Sequence, residues 1–309
     1  MVRKMNAELS KLAEIDDALK DKETAHLMID LNKVLSRNTV DGLDIEAEET
    51  EEGVNVRIIV NKGAVIEKEL HLCFGITHER ALQKINMDIE IKDGGKISLL
   101  SHCIFPKAEK IKHIMEANVH VGKKAEYSYA EKHIHNFDGG IEVYSKTKVK
   151  VEEKGKFKTD FELIKGRVGL LNIDYEAEGG KESVIELMTK ANGIKDDVIK
   201  IKEIGYLTGE RARGYLASRI AVRQNAKAEV YNKMVATAPY ARGHVDCKEI
   251  IQDNGVATAV PIIEVKHPKA HITHEAAIGS VDTKQLETLM ARGLSEEEAV
   301  ELIIGGLLS

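Results

Sequence analysis

Short segments of alternating apolar and polar residues make up most of the chain. Three of them share one pattern: an apolar-x-apolar start, a polar turn, and a return to an apolar position. They begin at Ile89, Val119 and Val149, at intervals of 30 residues, and looser copies lie at Ile58–Ile66 and Ile220–Val230. Alternation predicts strands, and a fixed period of this size predicts a repeat architecture.

Little sequence between these copies has the period of a long helix. We therefore predict a mainly β fold in which the copies are rungs of a β-solenoid. An antiparallel sandwich with regular hairpins is the alternative that the pattern leaves open.

The N-terminal segment Met5–Leu35 has helical periodicity. One apolar stripe comprises Leu9, Leu12, Ile15 and Leu19, and a second comprises Leu27, Met28, Leu31 and Leu35. We predict helices here, followed by a solvated acidic linker at Glu46–Gly53.

Two further helices are predicted at the C-terminus. Asp282 with Gln285, and Ser295 with Glu298, have the spacing of capping boxes, and Gly293 occupies a C′ position between them. The predicted helices are Thr283–Arg292 and Glu296–Leu308. Their apolar residues are Leu286, Leu289 and Met290 in the first, Leu294 in the connection, and Ala299, Leu302 and Ile303 in the second. Helices this short need a surface to pack against.

The composition excludes several classes of protein. The chain has 309 residues, 43% of them hydrophobic, which is enough for a sizeable core. No apolar run is long enough to cross a membrane, and Met1–Leu12 has no signal-peptide pattern. The net charge of −6 and the 4% of aromatic residues, with no Trp, argue against nucleic-acid binding. Three cysteines without CxxC spacing predict free thiols and a cytoplasmic setting.

Cys247 is the first candidate for chemistry. In an alternating strand it shares one side with Val245 and Glu249, whereas His244 and Lys248 lie on the other. An isolated Cys is most often a small buried apolar residue. Nearby cations such as Lys248 and His244 would instead favour the thiolate, which binds iron.

The remaining candidates are other thiols, imidazoles and carboxylates. Cys103 precedes His113-x₆-His120. His271, His274 and Glu275 carry groups that bind iron, although histidines on a polar strand are often only solvated. His133 and His135 alternate onto one face and have the groups to bind metal, although we expect an exposed strand instead. Cys73 lies in an apolar setting and is predicted to belong to the core.

Three segments of the last third follow one another in a fixed order: RGHVDCKEI at Arg242–Ile250, PIIEVKHPKAHITHEAAIGSVD at Pro261–Asp282, and ARGLSEEEAVELIIGGLLS at Ala291–Ser309. This order resembles the C-terminal part of the SUF-system scaffold proteins SufB and SufD, on which iron–sulfur clusters are built. The segment around Cys103 resembles the SufB region where a second cysteine receives sulfur. Both cysteine positions favour SufB, whereas the absence of an N-terminal CxxCxxxC keeps the SufD-like alternative open.

The resemblance implies a right-handed parallel β-helix over residues 46–276, between an N-terminal helical region (1–45) and a C-terminal helical region (277–309). It implies that Cys247, with His274 or Glu275, holds a transient iron–sulfur cluster, and that Cys103 receives sulfur. It also implies docking of a SufC-like ABC-type ATPase through Leu286, Leu289, Met290, Leu294 and Leu302. It further implies that the chain forms a homodimer and that apo iron–sulfur proteins receive the cluster.

We expect a scaffold rather than an enzyme. The sequence has no P-loop, HExxH or GxSxG motif. Two alternatives remain: a structural partner of an ATPase without cluster chemistry, and a β-solenoid enzyme, for which neither hexapeptide periodicity nor paired catalytic aspartates are found.

Overall fold

The structure is a computed structural model that describes residues 9–308. A helical turn at 9–12 precedes the short helix α1 (Asp16–Lys20), and two helices, α2 (Thr283–Met290) and α3 (Glu296–Leu308), follow the last strand. The strands are β1 (His26–Asp30), β2 (Lys33–Asn38), β3 (Leu43–Glu49), β4 (Gly53–Val60), β5 (Leu70–Gly75), β6 (Arg80–Ile91), β7 (Lys96–Phe105), β8 (Lys110–Val121), β9 (Glu126–His135), β10 (Ile141–Val151), β11 (Lys156–Lys165), β12 (Leu170–Gly179), β13 (Val184–Gly193), β14 (Val198–Leu207), β15 (Arg213–Val222), β16 (Lys227–Ala236), β17 (Arg242–Ile251), β18 (Val256–Val265) and β19 (His271–Ser280).

The strands form the two sheets of a parallel β-solenoid, and successive strands from β4 onward alternate between them. Sheet I has the order β19-β17-β15-β13-β11-β9-β7-β5-β1-β2, and sheet II has the order β18-β16-β14-β12-β10-β8-β6-β4-β3. Ile89 pairs in register with Val119, and Val119 pairs with Val149. The predicted 30-residue repeat is therefore confirmed as the length of one rung, and the sandwich alternative is excluded. The looser copy that begins at Ile220 lies at the opposite turn, where sheet I passes into sheet II.

The turns from sheet II to sheet I stack on one another. Lys124 donates its backbone N–H to the Glu153 carbonyl of the next turn at 3.0 Å, and Lys154 donates to Lys181 at 2.8 Å. Both lysines have positive φ angles, 56° and 60°. A left-handed conformation costs a non-glycine residue about 1–2 kcal/mol. The backbone bonds between turns offset that cost and extend the ladder around the corner.

One hydrophobic core runs along the solenoid between the two sheets. In β10, residues at alternating positions are buried and exposed, from Ile141 to Val151. Strands with this pattern turn one face to the core and the other to water. Most of the interior is built in this way, so position along a strand decides which side chains can meet.

The N-terminal expectation is partly wrong. Leu9 and Ile15 are buried, as the first stripe predicted, but Leu27 and Met28 belong to strand β1 rather than to a helix. Every residue of β1 is buried, because its inner side chains face the core and its outer side chains lie beneath Leu9. A strand buried on both faces reads as a continuous apolar run, and such a run can be mistaken for a helix. Residues 5–8 of the predicted helix lie outside the described residues.

The predicted acidic linker is also wrong. Most of Glu46–Gly53 belongs to β3 and to its turn into β4, and the two strands pair antiparallel. The acidic side chains occupy the water-facing positions of an edge strand, and charges at such positions protect an edge from pairing with other chains.

The C-terminal helices form as predicted. Asp282 accepts a hydrogen bond from the Gln285 N–H at 2.7 Å, and Ser295 and Glu298 make the reciprocal bonds of a capping box. Gly293 has a φ of +98°, the left-handed conformation expected at C′.

The buried stripe of α3 agrees with the predicted one in part. Ala299 is fully buried and Ile303 is partly buried, as predicted. Val300, Ile304 and Leu308, one helical turn apart, pack on Ala221 at the outer face of sheet I. Leu302, on the other side of the helix, is 55% exposed, so its predicted place in the buried stripe is wrong.

Candidate functional site

Cys247 lies in β17 with its side chain inside the solenoid, and it is fully buried. The side-chain amide of Asn232 lies 3.6 Å from its sulfur. When the Asn232 amide is oriented so that its nitrogen donates to Glu203 at 3.2 Å, its oxygen can accept a hydrogen bond from the Cys247 thiol. Ser218, in register with Cys247 on β15, donates to Glu249 at 3.3 Å. The thiol therefore lies in a hydrogen-bonded polar patch of the core.

The thiol is held in its protonated form. Burial raises the pKa of Cys247, and the neighbouring carboxyl groups of Glu249 and Glu203 add to this effect, while a bond from Ser218 opposes it. Burial also raises the pKa of Glu249 to about 7. Formation of a thiolate here requires either a cation or an opening of the last rungs.

The expectation that Lys248 and His244 favour the thiolate is wrong. Adjacent residues of a strand point to opposite faces, so both side chains lie outside the solenoid. Lys248 lies 3.6 Å from Asp246 and 3.5 Å from Glu275. His244 stacks on Tyr215 with 5.9 Å between ring centroids.

The last strand separates the other predicted ligands. On β19, His274 is in register with Val245, which shares the inner face with Cys247, whereas Glu275 is in register with Asp246 on the outer face. His271 lies on the outer side as well, and all three predicted residues of β19 are exposed. Cys247 and His274 are therefore brought to the same side, one strand apart, and Glu275 is not.

Cys103 lies at the opposite end of the core, in β7. Its sulfur is 3.8 Å from His113 Nε2 and 3.8 Å from Glu131 Oε1. Tyr129 donates its hydroxyl to the other oxygen of Glu131 at 3.0 Å. Burial is the main cause that raises the pKa of Cys103 well above its usual range and that of Glu131 to about 7. The Cys103 thiol is therefore held in its protonated form, and the Glu131 carboxyl is shifted toward its protonated form, in a closed interior.

His133 and His135 are buried, so the expectation of an exposed strand is wrong. Their side chains point into the core from β9, where His133 Nε2 lies 2.7 Å from Glu131 and His133 Nδ1 lies 3.1 Å from His135 Nε2. Burial lowers the pKa of His133 to about 3, which keeps the ring neutral. The alternation in the sequence places both histidines on one face, but we did not predict that this face lies inside the solenoid.

A row of polar side chains continues inside the solenoid between the two thiols. The Tyr175 hydroxyl lies 3.5 Å from Glu131, and Glu203 accepts a hydrogen bond from Thr189 at 2.7 Å. Asn232 then links Glu203 to Cys247.

We did not predict this polar row from the sequence. The repeat nevertheless contains a pattern that identifies polar residues at inward positions. The residues stacked in one inner column, rung by rung, are Ser101, Glu131, Phe161, Thr189, Ser218 and Cys247. Apart from Phe161, this column consists of Cys and polar residues that recur at the repeat interval, at positions that face the core.

Cys73 is buried, as predicted, and burial raises its pKa to about 12. It faces outward from sheet I rather than into the solenoid, and it packs beneath Leu9 and Ile15. It is therefore separated from the polar row by the sheet itself.

The apolar residues predicted to bind a partner are only partly covered within the chain. Met290 is 42% exposed, and Leu286, Leu289 and Leu294 are half-buried. No side chain of α2 is fully buried. Among the helices of residues 9–308, none is both long and apolar enough to span a membrane.

The fold and its two inward-facing thiols define a β-solenoid protein with a thiol-containing interior. The model of the family "SUF system FeS cluster assembly, SufBD core domain" matches residues 74–307. An iron–sulfur cluster assembly SufBD family protein of Methanocaldococcus jannaschii is 41% identical over 96% of this chain and 98% of its own length. One from Pyrococcus horikoshii is 36% identical over 97% and 92%.

The chain belongs to the SufBD family of iron–sulfur cluster assembly proteins. The iron–sulfur cluster assembly protein SufB of Bacillus subtilis is 38% identical over a shorter stretch, 22% of this chain and 15% of that protein.

The burial of the thiols predicts how they react with an alkylating reagent. Only β19 separates Cys247 from the open end of the solenoid, and terminal elements open locally at a lower free energy than central ones. We expect Cys247 to be modified at least about tenfold faster than Cys103 or Cys73 in the native protein, and all three to react at similar rates in denaturant. Peptide mass spectrometry over a time course measures these rates. Equal native rates at Cys247 and Cys103 would contradict the assignment of Cys247 to a labile end.

Proposed function

We propose that this chain is a scaffold on which an iron–sulfur cluster is assembled and from which it passes to apo proteins. The observation that carries the proposal is the placement of Cys247 and His274 on one side of the last two rungs of sheet I, next to the open end of the solenoid. A thiolate and an imidazole are both competent iron ligands. Membership of the SufBD family supports this use of the pair.

Cluster formation at Cys247 requires the thiol to lose its proton, because burial raises its pKa. Iron itself provides the driving force, since a coordinated thiol is deprotonated outright. Glu275 lies on the opposite face with Lys248, so it becomes a ligand only after rearrangement of β19. Within the closed chain, Cys247 and His274 are the proposed pair.

Cys103 is proposed as the residue that receives sulfur. Its thiolate would attack the outer sulfur of a donor persulfide, form the new S–S bond, and release the donor as a thiolate. The polar row from Glu131 to Asn232 lies between Cys103 and Cys247. It supports separate roles for the two thiols, with sulfur received at Cys103 and the cluster bound at Cys247. In this proposal the chain is not an enzyme, and a SufC-like ATPase supplies nucleotide hydrolysis.

The end of the solenoid is proposed to pair with a second copy of the chain. β18 and β19 are the terminal strands of the two sheets, so each leaves one edge of backbone N–H and C=O groups unpaired. Val260 and Ile278 near this edge are 41% and 45% exposed. A homodimer formed here would bring both copies of Cys247 and His274 near the interface.

The decisive experiment for the scaffold is anaerobic reconstitution with iron and sulfide. Wild-type protein should gain thiolate-to-iron charge-transfer absorption, and Cys247→Ser should lose it with little change in melting temperature, because Ser218 and Asn232 already form a polar surrounding for a hydroxyl. Cys73→Ser, another fully buried thiol, is the matched control and should keep the absorption. Equal iron and sulfide in wild type and Cys247→Ser would favour the alternative of a structural partner, and catalytic turnover without iron would favour a β-solenoid enzyme.

Dimer formation is tested by light scattering and sedimentation at micromolar concentration. The double variant with Val260→Glu and Ile278→Glu should be a monomer. In a dimer, the new carboxylates of one copy would lie close to those of the other at a desolvated edge, where like charges repel. Val65→Glu changes a residue of similar exposure, 51%, outside the terminal strands, and should leave the dimer intact. A monodisperse monomer for wild type would refute the interface.

Docking of the ATPase is proposed to use α2. Leu286→Asp with Met290→Asp places two charges one turn apart on this partly exposed stripe, and the expected loss of binding is about 2 kcal/mol or more if these residues are central. Leu12→Asp, on a partly exposed residue of the N-terminal segment, is the control. Calorimetry measures binding, while circular dichroism and melting show whether the variant is folded. Unchanged affinity in the double variant would assign the helices to end-capping alone.

A further inference from the structure

Donor atoms from three side chains converge inside the solenoid, away from Cys247, and a fourth lies beside one of them. The ligand atoms of Cys103, Glu131 and His133 all lie within 4.8 Å of one another, and His113 Nε2 is 3.8 Å from Cys103 Sγ. We propose that Cys103, Glu131 and His133, with His113 beside the thiol as the fourth ligand, bind one divalent cation of borderline softness, zinc or ferrous iron, as a site separate from the nascent cluster. Cys103 holds this ion only while it carries no sulfur.

The hydrogen bonds around His113 leave its Nε2 lone pair facing the thiol. Gln83 donates its amide N–H groups to the carbonyl oxygens of Leu31 at 2.7 Å and Gly75 at 3.2 Å. This orientation presents Gln83 Oε1 as an acceptor 2.9 Å from His113 Nδ1. Nδ1 therefore carries the proton, and Nε2 is the free donor atom. Metal-bound histidines are commonly oriented by such a bond from the other ring nitrogen.

A second chain of bonds fixes His133 in the same way. His135 Nδ1 lies 3.0 Å from the Arg167 carbonyl oxygen, which can only accept, so this nitrogen carries a proton. In the neutral ring, His135 Nε2 then accepts, and His133 Nδ1 donates to it at 3.1 Å. His133 Nε2 is left with its lone pair, 2.7 Å from Glu131 Oε1. Two separate sets of backbone and amide contacts thus leave both imidazoles with an unprotonated Nε2, that of His113 facing Cys103 and that of His133 facing Glu131.

Charge balance favours a divalent cation at this location. Without a cation, Glu131 must donate a proton to the lone pair of His133, and Cys103 keeps its own proton, so the group is neutral. A divalent cation would release both protons to solvent and bind one thiolate, one carboxylate and two neutral imidazoles. The net charge stays zero, which a closed apolar interior tolerates far better than an unpaired ion.

The geometry suits a four-coordinate ion. Metal–sulfur bonds of about 2.3 Å and metal–nitrogen bonds of about 2.0 Å place tetrahedral ligands roughly 3.3–3.6 Å apart. Cys103 Sγ lies 3.8 Å from both His113 and Glu131, close to that spacing. The 2.7 Å contact between Glu131 and His133 is a hydrogen bond that would lengthen when the ion replaces its proton. A thiolate with two imidazoles and a carboxylate selects zinc or ferrous iron over magnesium or calcium.

Cobalt(II) binding to the whole chain tests this site. Because the donors are buried, the protein is unfolded in denaturant with chelator and refolded anaerobically with cobalt. We expect about one tightly bound ion per chain, with the visible bands of tetrahedral cobalt and a thiolate-to-cobalt charge-transfer band. Metal analysis of the protein as purified, without added cobalt, identifies zinc or iron as the natural occupant.

Variants separate this site from the cluster site. Cys103→Ser and Cys103→Ala should both lose the charge-transfer band, and the alanine variant avoids burying an unpaired hydroxyl. Cys73→Ser and Cys247→Ser should keep it, although Cys247→Ser loses the iron–sulfur cluster in reconstitution. Gln83→Leu removes the bond that orients His113, together with the bonds from Gln83 to the carbonyl oxygens of Leu31 and Gly75, and should weaken cobalt binding about 10–100-fold.

Three results would overturn the proposal. One is refolded wild type, native by circular dichroism, without bound cobalt. Another is bound cobalt with six-coordinate spectra and no charge transfer. The third is a charge-transfer band that disappears with Cys247→Ser and persists in Cys103→Ser.

Discussion

The in-register hydrogen-bond ladder between rungs is the constraint on which the rest of this molecule depends. Each rung must place every residue beside its counterpart one rung away, as Ile89 lies beside Val119 and Val119 beside Val149. A one-residue slip would turn a whole strand's inner side chains outward. The ladder therefore requires a nearly fixed rung length and turns that stack, even where a turn residue such as Lys124 takes a positive φ.

This ladder also explains how so many polar groups are kept in the core. A buried carboxyl or imidazole is costly unless it is hydrogen-bonded. Inward-facing residues two positions apart on one strand lie within reach of one another, so Glu131 is satisfied by Tyr129 and His133 together. The interior remains neutral because burial raises the pKa of Glu131 and lowers that of His133, each toward its uncharged form. Such a network can exchange its protons for a cation without leaving a net charge behind.

The ends of the solenoid differ in the way they are covered. At the N-terminal end, the edge strands β2 and β3 pair antiparallel with β1 and β4, and the acidic side chains that β3 turns to water protect that edge from further pairing. At the C-terminal end, α3 packs on the outer face of sheet I and leaves the edges of β18 and β19 open. An open edge is a surface for pairing, and Cys247 lies one strand from it. Function is therefore expected at the end that the chain does not close for itself.

The sequence by itself determined the repeat, the solenoid, the capped C-terminal helices and the family, because each depends on local pattern: alternation, a period near 30 residues, capping boxes and ordered motifs. It could not decide which polar residues face inward, since that depends on the register between rungs. Without that register, the sequence predicts that His133 is exposed, that Lys248 favours the Cys247 thiolate, and that β1 is part of a helix. The tertiary structure alone decided that Glu131 meets Cys103 and that Glu275 turns away from Cys247, because a strand's two faces are distinguished only once its neighbours are in place.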